Sequence, residues 1–172
     1  MKERILLIGG NGSGKTKAAL KMGSHLHPRL YVATGTALDA EMRRKIDVHK
    51  RERRGWDTLQ SPTLDPKQIE FALASKSYRC AVVDCVSFLI HNCMANGMDP
   101  QLRLREALEA MEQVERLIIV SNEVGLSLVP TNSLARRFTK TLSEINRYLT
   151  ETCNRSYLVV AGKLISLSQD LE

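Results

Sequence analysis

Aromatic side chains make up only 5% of this 172-residue chain, and it has a single tryptophan, Trp56. Surfaces that hold single-stranded nucleic acid interleave stacking platforms with their cations, so this scarcity argues against that class. No apolar run approaches the roughly 18 residues of a membrane-spanning helix, and Lys2, Glu3 and Arg4 lead directly into a short apolar run, unlike a secretory leader. A soluble, cytoplasmic protein is expected. The four cysteines, Cys80, Cys85, Cys93 and Cys153, offer no Cys-x-x-Cys pair and no zinc-ligand spacing, which points to free thiols in a reducing compartment. Repeats, low-complexity tracts and linker-like stretches are also missing. With 43% hydrophobic residues the chain can bury one good core and is too short for two, so one domain over residues 1–172 is expected.

What is present is concentrated near the N-terminus. The apolar run Ile5, Leu6, Leu7, Ile8 breaks into Gly9, Gly10, Asn11, Gly12, Ser13, Gly14, Lys15 and Thr16. Glycine, four residues, Gly-Lys-Thr after a buried strand is the Walker A spacing. The glycines reach backbone angles closed to other residues, so that successive N–H groups converge on phosphate oxygens at the positive end of the following helix. Lys15 is placed to reach the β- and γ-phosphates, and the Thr16 hydroxyl to ligate Mg2+. Further on, Cys80, Ala81, Val82 and Val83 end in Asp84, a Walker B pattern that supplies the hard oxygen ligand magnesium prefers. The same aspartate also suits a helix cap. Both a nucleoside triphosphate and a nucleic acid fit the formal net charge of +6, part of which is local: Arg43, Arg44, Lys45, Lys50, Arg51, Arg53 and Arg54 face only Asp47 and Glu52.

Periodicity supplies the coarse order. Lys17 to Leu26 reads as the first helix and Leu30 to Ala33 as a strand closed by Thr34, Gly35 and Thr36. Asp39 to about Arg53 reads as a helix, with Leu38, Met42, Ile46, His49 and Arg53 on one face. A histidine on that inward face is either a packed boundary residue or, flanked by Lys50 and Arg53, a neutral nucleophile directed at the phosphates. Asp65 and Pro66 mark the N-cap and first residue of a helix through Ala74. Arg103 to Leu117 reads as a scaffold helix with Arg105–Glu109 and Glu112–Arg116 pairs. Ile118 to Ser121 forms a strand whose carboxyl end carries Asn122 and Glu123. Glu123 is open between magnesium support, orientation of a water or hydroxyl, and a structural role. Asn132 or Ser133 caps a long helix to Cys153, with Arg136 and Arg137 in its first turns, and Tyr157 to Ala161 pairs with Leu164 to Leu167 through Gly162 and Lys163. Strands alternating with helices, apolar without internal alternation, specify an α/β fold: a RecA-like P-loop NTPase with a mostly parallel sheet, helices on both faces and a C-terminal antiparallel hairpin.

Several stretches together resemble one family: bifunctional adenosylcobinamide kinase and adenosylcobinamide-phosphate guanylyltransferase. They are Gly9 to Thr16, Tyr31 to Thr34 (YVAT), Leu38 to Met42 (LDAEM), His49 and Lys50 leading to Trp56, Val83 to Cys85 with Asn92, Ser121 to Val129 (SNEVGLSLV), Pro130 to Phe138 (PTNSLARRF), Asn146, and Tyr157 to Gly162 (YLVVAG). The resemblance implies a two-step enzyme. A nucleoside triphosphate, ATP or GTP, phosphorylates the corrinoid adenosylcobinamide; GTP then places GMP on His49, from which it passes to the phosphorylated corrinoid to give adenosylcobinamide-GDP. It also implies nucleotide contacts at Gly9 to Thr16, at Thr34, Gly35 and Thr36, at Lys50, Arg51, Glu52 and Arg53, at Gln60 and at Asp84, and a homotrimer. Gln60 stands where the family usually has glutamate, which removes a charge-based role there. Asn92, Arg136 and Arg137 are candidates for the corrinoid. Two other readings are a P-loop kinase without guanylyl transfer and a RecA-like nucleotide-switched nucleic-acid module; no nucleic-acid partner is expected.

Overall fold

The computed structural model describes residues 2–36, 53–126 and 130–167. Strand β1 (Glu3–Gly9) opens the chain and helix α1 (Lys15–Met22) follows the glycine loop. The elements β2 (Arg29–Ala33), β3 (Asp57–Gln60), α2 (Pro66–Ser75), β4 (Cys80–Asp84), α3 (Val86–Ala95) and α4 (Pro100–Ala110) come next. The chain ends with β5 (Arg116–Asn122), α5 (Ser133–Thr152), β6 (Arg155–Val160) and β7 (Lys163–Ser166). The strands form one sheet in the order β3-β2-β4-β5-β1-β6-β7. All neighbours are parallel except β6 and β7. The hairpin turns through Ala161 and Gly162, both at positive φ (49° and 76°), the geometry that matches strand twist in two-residue hairpins.

Because side chains alternate across a strand, the apolar runs split between two cores. Ile5 and Leu7 of β1, Tyr31 and Ala33 of β2, Val82 of β4 and Ile118 and Val120 of β5 pack with Ala19 and Leu20 of α1 and with Trp56. Leu6, Ile8, Leu30, Val32, Ala81, Val83, Leu117 and Ile119 face the other way, against Ile69, Leu89, Leu104, Ile145 and Leu149 of α2 to α5. The mostly parallel sheet with helices on both faces is therefore the observed fold.

Several boundaries differ from the sequence reading. Helix α1 stops at Met22, capped at Gly23, where the Gly23 N–H donates to the Ala19 carbonyl and the Ser24 N–H to that of Lys21. The helix expected over Arg103 to Leu117 runs instead from Pro100, capped by Asp99, to Ala110. Met111 and Val114 are buried as expected, but in the turns beyond it. Arg116 consequently belongs to β5, where its Nε lies 2.7 Å from Glu3 Oε2 rather than pairing with Glu112 along a helix. Strand β3 was not anticipated, and helix α3, read only as a helix that Asp84 could cap, has Cys85 at its N-cap position with no side-chain capping bond. The helix expected over Asp39 to Arg53 lies outside the described residues apart from Arg53, which begins the turn Arg53–Gly55.

Candidate functional site

The carboxyl ends of β1, β2, β3, β4 and β5 gather most of the singled-out residues. Gly9 ends β1, and the loop to α1 curls around the Lys15 ammonium, whose Nζ donates to the carbonyls of Gly9 (2.8 Å) and Gly10 (2.7 Å). Burial lowers the Lys15 pKa, an effect partly offset by Cys85 and the Asp84 carboxylate. Gly12 and Gly14 hold positive φ (71° and 95°), and Gly14 is the N-cap of α1. These are the angles that aim loop N–H groups inward. The β6–β7 turn supports the loop from the side, with Gly162 N–H donating to Ser13 O at 2.9 Å.

Asp84 faces the first residue pair of α1. Its Oδ2 accepts from Thr16 Oγ1 at 2.7 Å and from the Tyr31 hydroxyl. A hydroxyl and a carboxylate side by side at a phosphate loop are the hard oxygen donors that suit Mg2+, which takes few protein ligands beside phosphate and water. Among the described residues no group of three His, Cys, Asp or Glu side chains could hold a metal. The Cys85 thiol, pushed up to about 11 by burial and by Asp84, is a neutral neighbour, 3.0 Å from Ser87 Oγ.

Around this centre the backbone is fixed by buried polar side chains. Thr34 Oγ1 accepts from Cys85 N–H and donates to Cys85 O, both at 2.7 Å, which ties the end of β2 to β4. Gln60 Nε2 donates to Gly35 O at 2.7 Å, a bond that an amide can donate and an ionised carboxylate cannot. Asn92 donates to Thr34 O (2.9 Å) and Pro62 O (3.0 Å) and is 8% exposed. It therefore braces the segment Thr34–Thr36. Thr36 Oγ1 lies 3.5 Å from Asn92 Oδ1.

At the tip of β5, Glu123 N–H donates to Gly9 O at 3.0 Å while its carboxylate accepts from Gly125 N–H. Ser121 Oγ donates to Asn146 Oδ1 (2.6 Å), Asn146 Nδ2 to Asn122 O (3.0 Å), and Asn122 Nδ2 to Ser87 Oγ (3.0 Å). This chain joins α5, β5 and α3 beside the phosphate loop. Arg136 turns back onto the carbonyls of Pro130 and Thr131, which offsets the unfavourable helix end where it sits. Arg137 instead lines a cleft of about 430 Å³ with Met94, Met98, Asp99, Thr141 and Glu144.

Of the residues chosen from sequence, Gly9 to Thr16, Thr34 to Thr36, Gln60 and Asp84 converge. Arg53 joins them through Tyr31, its guanidinium carbon 4.0 Å from the ring centroid. His49, Lys50, Arg51 and Glu52 lie outside the described residues. The roles of Tyr31 and Ser87 were not read from sequence. The usable signal was a polar group set into an apolar run, Tyr31 among Leu30, Val32 and Ala33, and Ser87 between Val86 and Phe88.

Comparison with known proteins places this geometry in context. The family described as cobinamide kinase / cobinamide phosphate guanyltransferase matches residues 5–167. The bifunctional adenosylcobalamin biosynthesis protein CobP of Pseudomonas aeruginosa is 36% identical over 168 residues, covering 92% of this chain and 94% of its own. The CobU proteins of Escherichia coli and Salmonella typhimurium, also named bifunctional adenosylcobalamin biosynthesis proteins, are each 27% identical, with 92% of this chain and 96% of theirs covered. In fold, a KaiC-like protein of Pyrococcus horikoshii superposes with a TM-score of 0.57 at 17% identity, covering 91% of this chain and 71% of that one.

Proposed function

The chain belongs to the cobinamide kinase / cobinamide phosphate guanyltransferase family, and from that premise we propose how its residues divide the two reactions. It is a bifunctional transferase of cobalamin biosynthesis, a cobinamide kinase and cobinamide-phosphate guanylyltransferase. The observation that carries the assignment of roles is the phosphate loop closed around Lys15 beside the Thr16–Asp84 pair. ATP or GTP is the phosphate donor and GTP the source of GMP.

In the kinase step the aminopropanol hydroxyl of adenosylcobinamide attacks the γ-phosphorus of the bound triphosphate, the β,γ-bridging bond breaks, and the hydroxyl proton leaves. The loop N–H groups and Lys15 hold the phosphate oxygens as negative charge shifts toward the leaving diphosphate. Thr16 and Asp84 would hold Mg2+, which would neutralise phosphate charge and orient the nucleotide. In the guanylyl step a ring nitrogen of His49 attacks the α-phosphorus of GTP. A nitrogen–phosphorus bond forms, pyrophosphate departs, and the imidazole proton is lost. A phosphate oxygen of the phosphorylated corrinoid then displaces His49 to give adenosylcobinamide-GDP. Lys50, Arg51, Arg53 and the Thr34–Thr36 turn contribute nucleotide contacts in this reading, with Glu52 and Gln60 beside them, and the enzyme acts in the cytoplasm as a homotrimer. Equilibrium sedimentation at micromolar concentration reads the assembly directly.

The decisive experiment incubates the protein with magnesium and GTP labelled at the α-phosphate, then measures intact mass and the stability of any adduct. One GMP per chain, acid-labile and base-stable, present in wild type and absent in His49→Ala, is the expected result. His49→Ala retains the kinase step, whereas Lys15→Ala loses both. A wild-type protein that binds GTP without forming an adduct removes the guanylyl role of His49 and leaves a kinase.

A further inference from the structure

Tyr31 has no part in the chemistry above, yet it touches both the Asp84 carboxylate and Arg53. It projects from β2 to the α1 side of the sheet and is 3% exposed. Its hydroxyl donates to Asp84 Oδ2, the oxygen that also accepts from Thr16 Oγ1. Its ring carries the guanidinium of Arg53, itself 6% exposed. Arg53 is four residues beyond His49 and opens the turn in which Trp56 N–H donates to its carbonyl at 3.0 Å.

A buried phenol on an otherwise apolar strand face needs a partner for its hydroxyl. Here that partner is the residue proposed to hold the metal. With two donors on one oxygen, the Asp84 carboxylate is held in a single orientation next to α1. On the other side, a planar guanidinium stacked on an aromatic face is a contact that a lysine does not reproduce.

We propose that Tyr31 is a positioning residue shared by the two reactions: its hydroxyl fixes the Asp84 carboxylate for the metal–nucleotide complex, and its ring anchors, through Arg53, the end of the segment that carries His49. The second half rests on the assignment of His49 made above. The two halves separate by substitution. Tyr31→Phe keeps the ring and removes the hydroxyl, and the Mg2+ concentration needed for half-maximal binding of a fluorescent GTP analogue rises roughly tenfold, the scale of one lost hydrogen bond to a charged group. Tyr31→Leu and Arg53→Lys remove the stacked pair from opposite sides, and tryptic cleavage within residues 37–52, followed by mass spectrometry, speeds up about fivefold, as for loss of a partly desolvated cation–π contact. Tyr31→Phe leaves that cleavage rate at the wild-type value and recovers the GMP adduct at saturating Mg2+, whereas Tyr31→Leu does not recover it.

An unchanged Mg2+ requirement in Tyr31→Phe overturns the hydroxyl's role, and unchanged cleavage in Tyr31→Leu and Arg53→Lys overturns the ring's. If Tyr31→Leu does not fold, Arg53→Lys decides the second point alone. Binding and cleavage are both read without turnover. A wild-type protein that forms no adduct therefore defeats the assignment of His49 and leaves these two measurements to decide Tyr31.

Discussion

The glycines of the phosphate loop divide into three physical kinds once neighbouring atoms are considered. Gly12 and Gly14 occupy positive φ, as the loop reading requires. Gly9 does not, and its reason is space: a Cβ there would lie 2.4 Å from Val159 O of β6 and 2.9 Å from Ser13 Oγ. Gly10 has no atom within 4 Å of the corresponding position. Gly9→Ala is therefore expected to destabilise the protein by about 1–3 kcal/mol, as overpacking does, while Gly10→Ala stays within about 0.5 kcal/mol. Urea denaturation of the two variants measures this, and equal losses would show that the β1–β6 contact relaxes freely. The motif identified both residues but not this difference, because it records chain spacing and not which strand lies alongside. The same limit hid Tyr31: YVAT reads as a buried strand, and only the pairing of β2 with β4, Ala33 opposite Asp84, brings the phenol to the carboxylate.

Secondary elements were legible where local chemistry ends them and obscure where tertiary contacts do. Asp65 and Pro66 predicted the start of α2, and Asp65 Oδ1 accepts from Lys67 N–H at 3.0 Å. Asp65→Ala should cost about 1 kcal/mol and lower the thermal midpoint by about 2–4 °C, with Asp65→Asn retaining most of the stability because its side-chain oxygen still accepts. Differential scanning calorimetry checks this, and an asparagine variant as damaged as the alanine one would refute the capping account. Strand β3 illustrates the opposite case. Asp57, Thr58 and Gln60 are exposed and Leu59 is half-buried, so neither alternation nor an apolar run marks the segment, and it is a strand because β2 offers it an edge. The overextended α4 has a similar cause. Met111 and Val114 continue the helical spacing of Leu104, Ala107 and Leu108, but they reach the core from turns after Ala110.

At the scale of the whole molecule, the site exists only after the sheet has assembled. Gly9 and Asp84 end strands separated by β5, in register at Gly9 with Asn122 and Asp84 with Val120, and Thr16 meets Asp84 across 68 residues of sequence. A ligand that spans the loop and Asp84 therefore binds the folded chain and not the unfolded one. At a concentration 100 times its dissociation constant it stabilises the fold by about 2.7 kcal/mol. For a chain of this length that corresponds to roughly 5–10 °C in thermal midpoint. Mg·GTP at that level should produce such a shift in wild type, Lys15→Ala should lose it, and Asp84→Asn should show, with or without magnesium, only the smaller shift that wild type shows in EDTA. A shift of full size in EDTA, or in Asp84→Asn, would mean that the nucleotide is held by the loop alone and that the Thr16–Asp84 pair serves the fold rather than the metal.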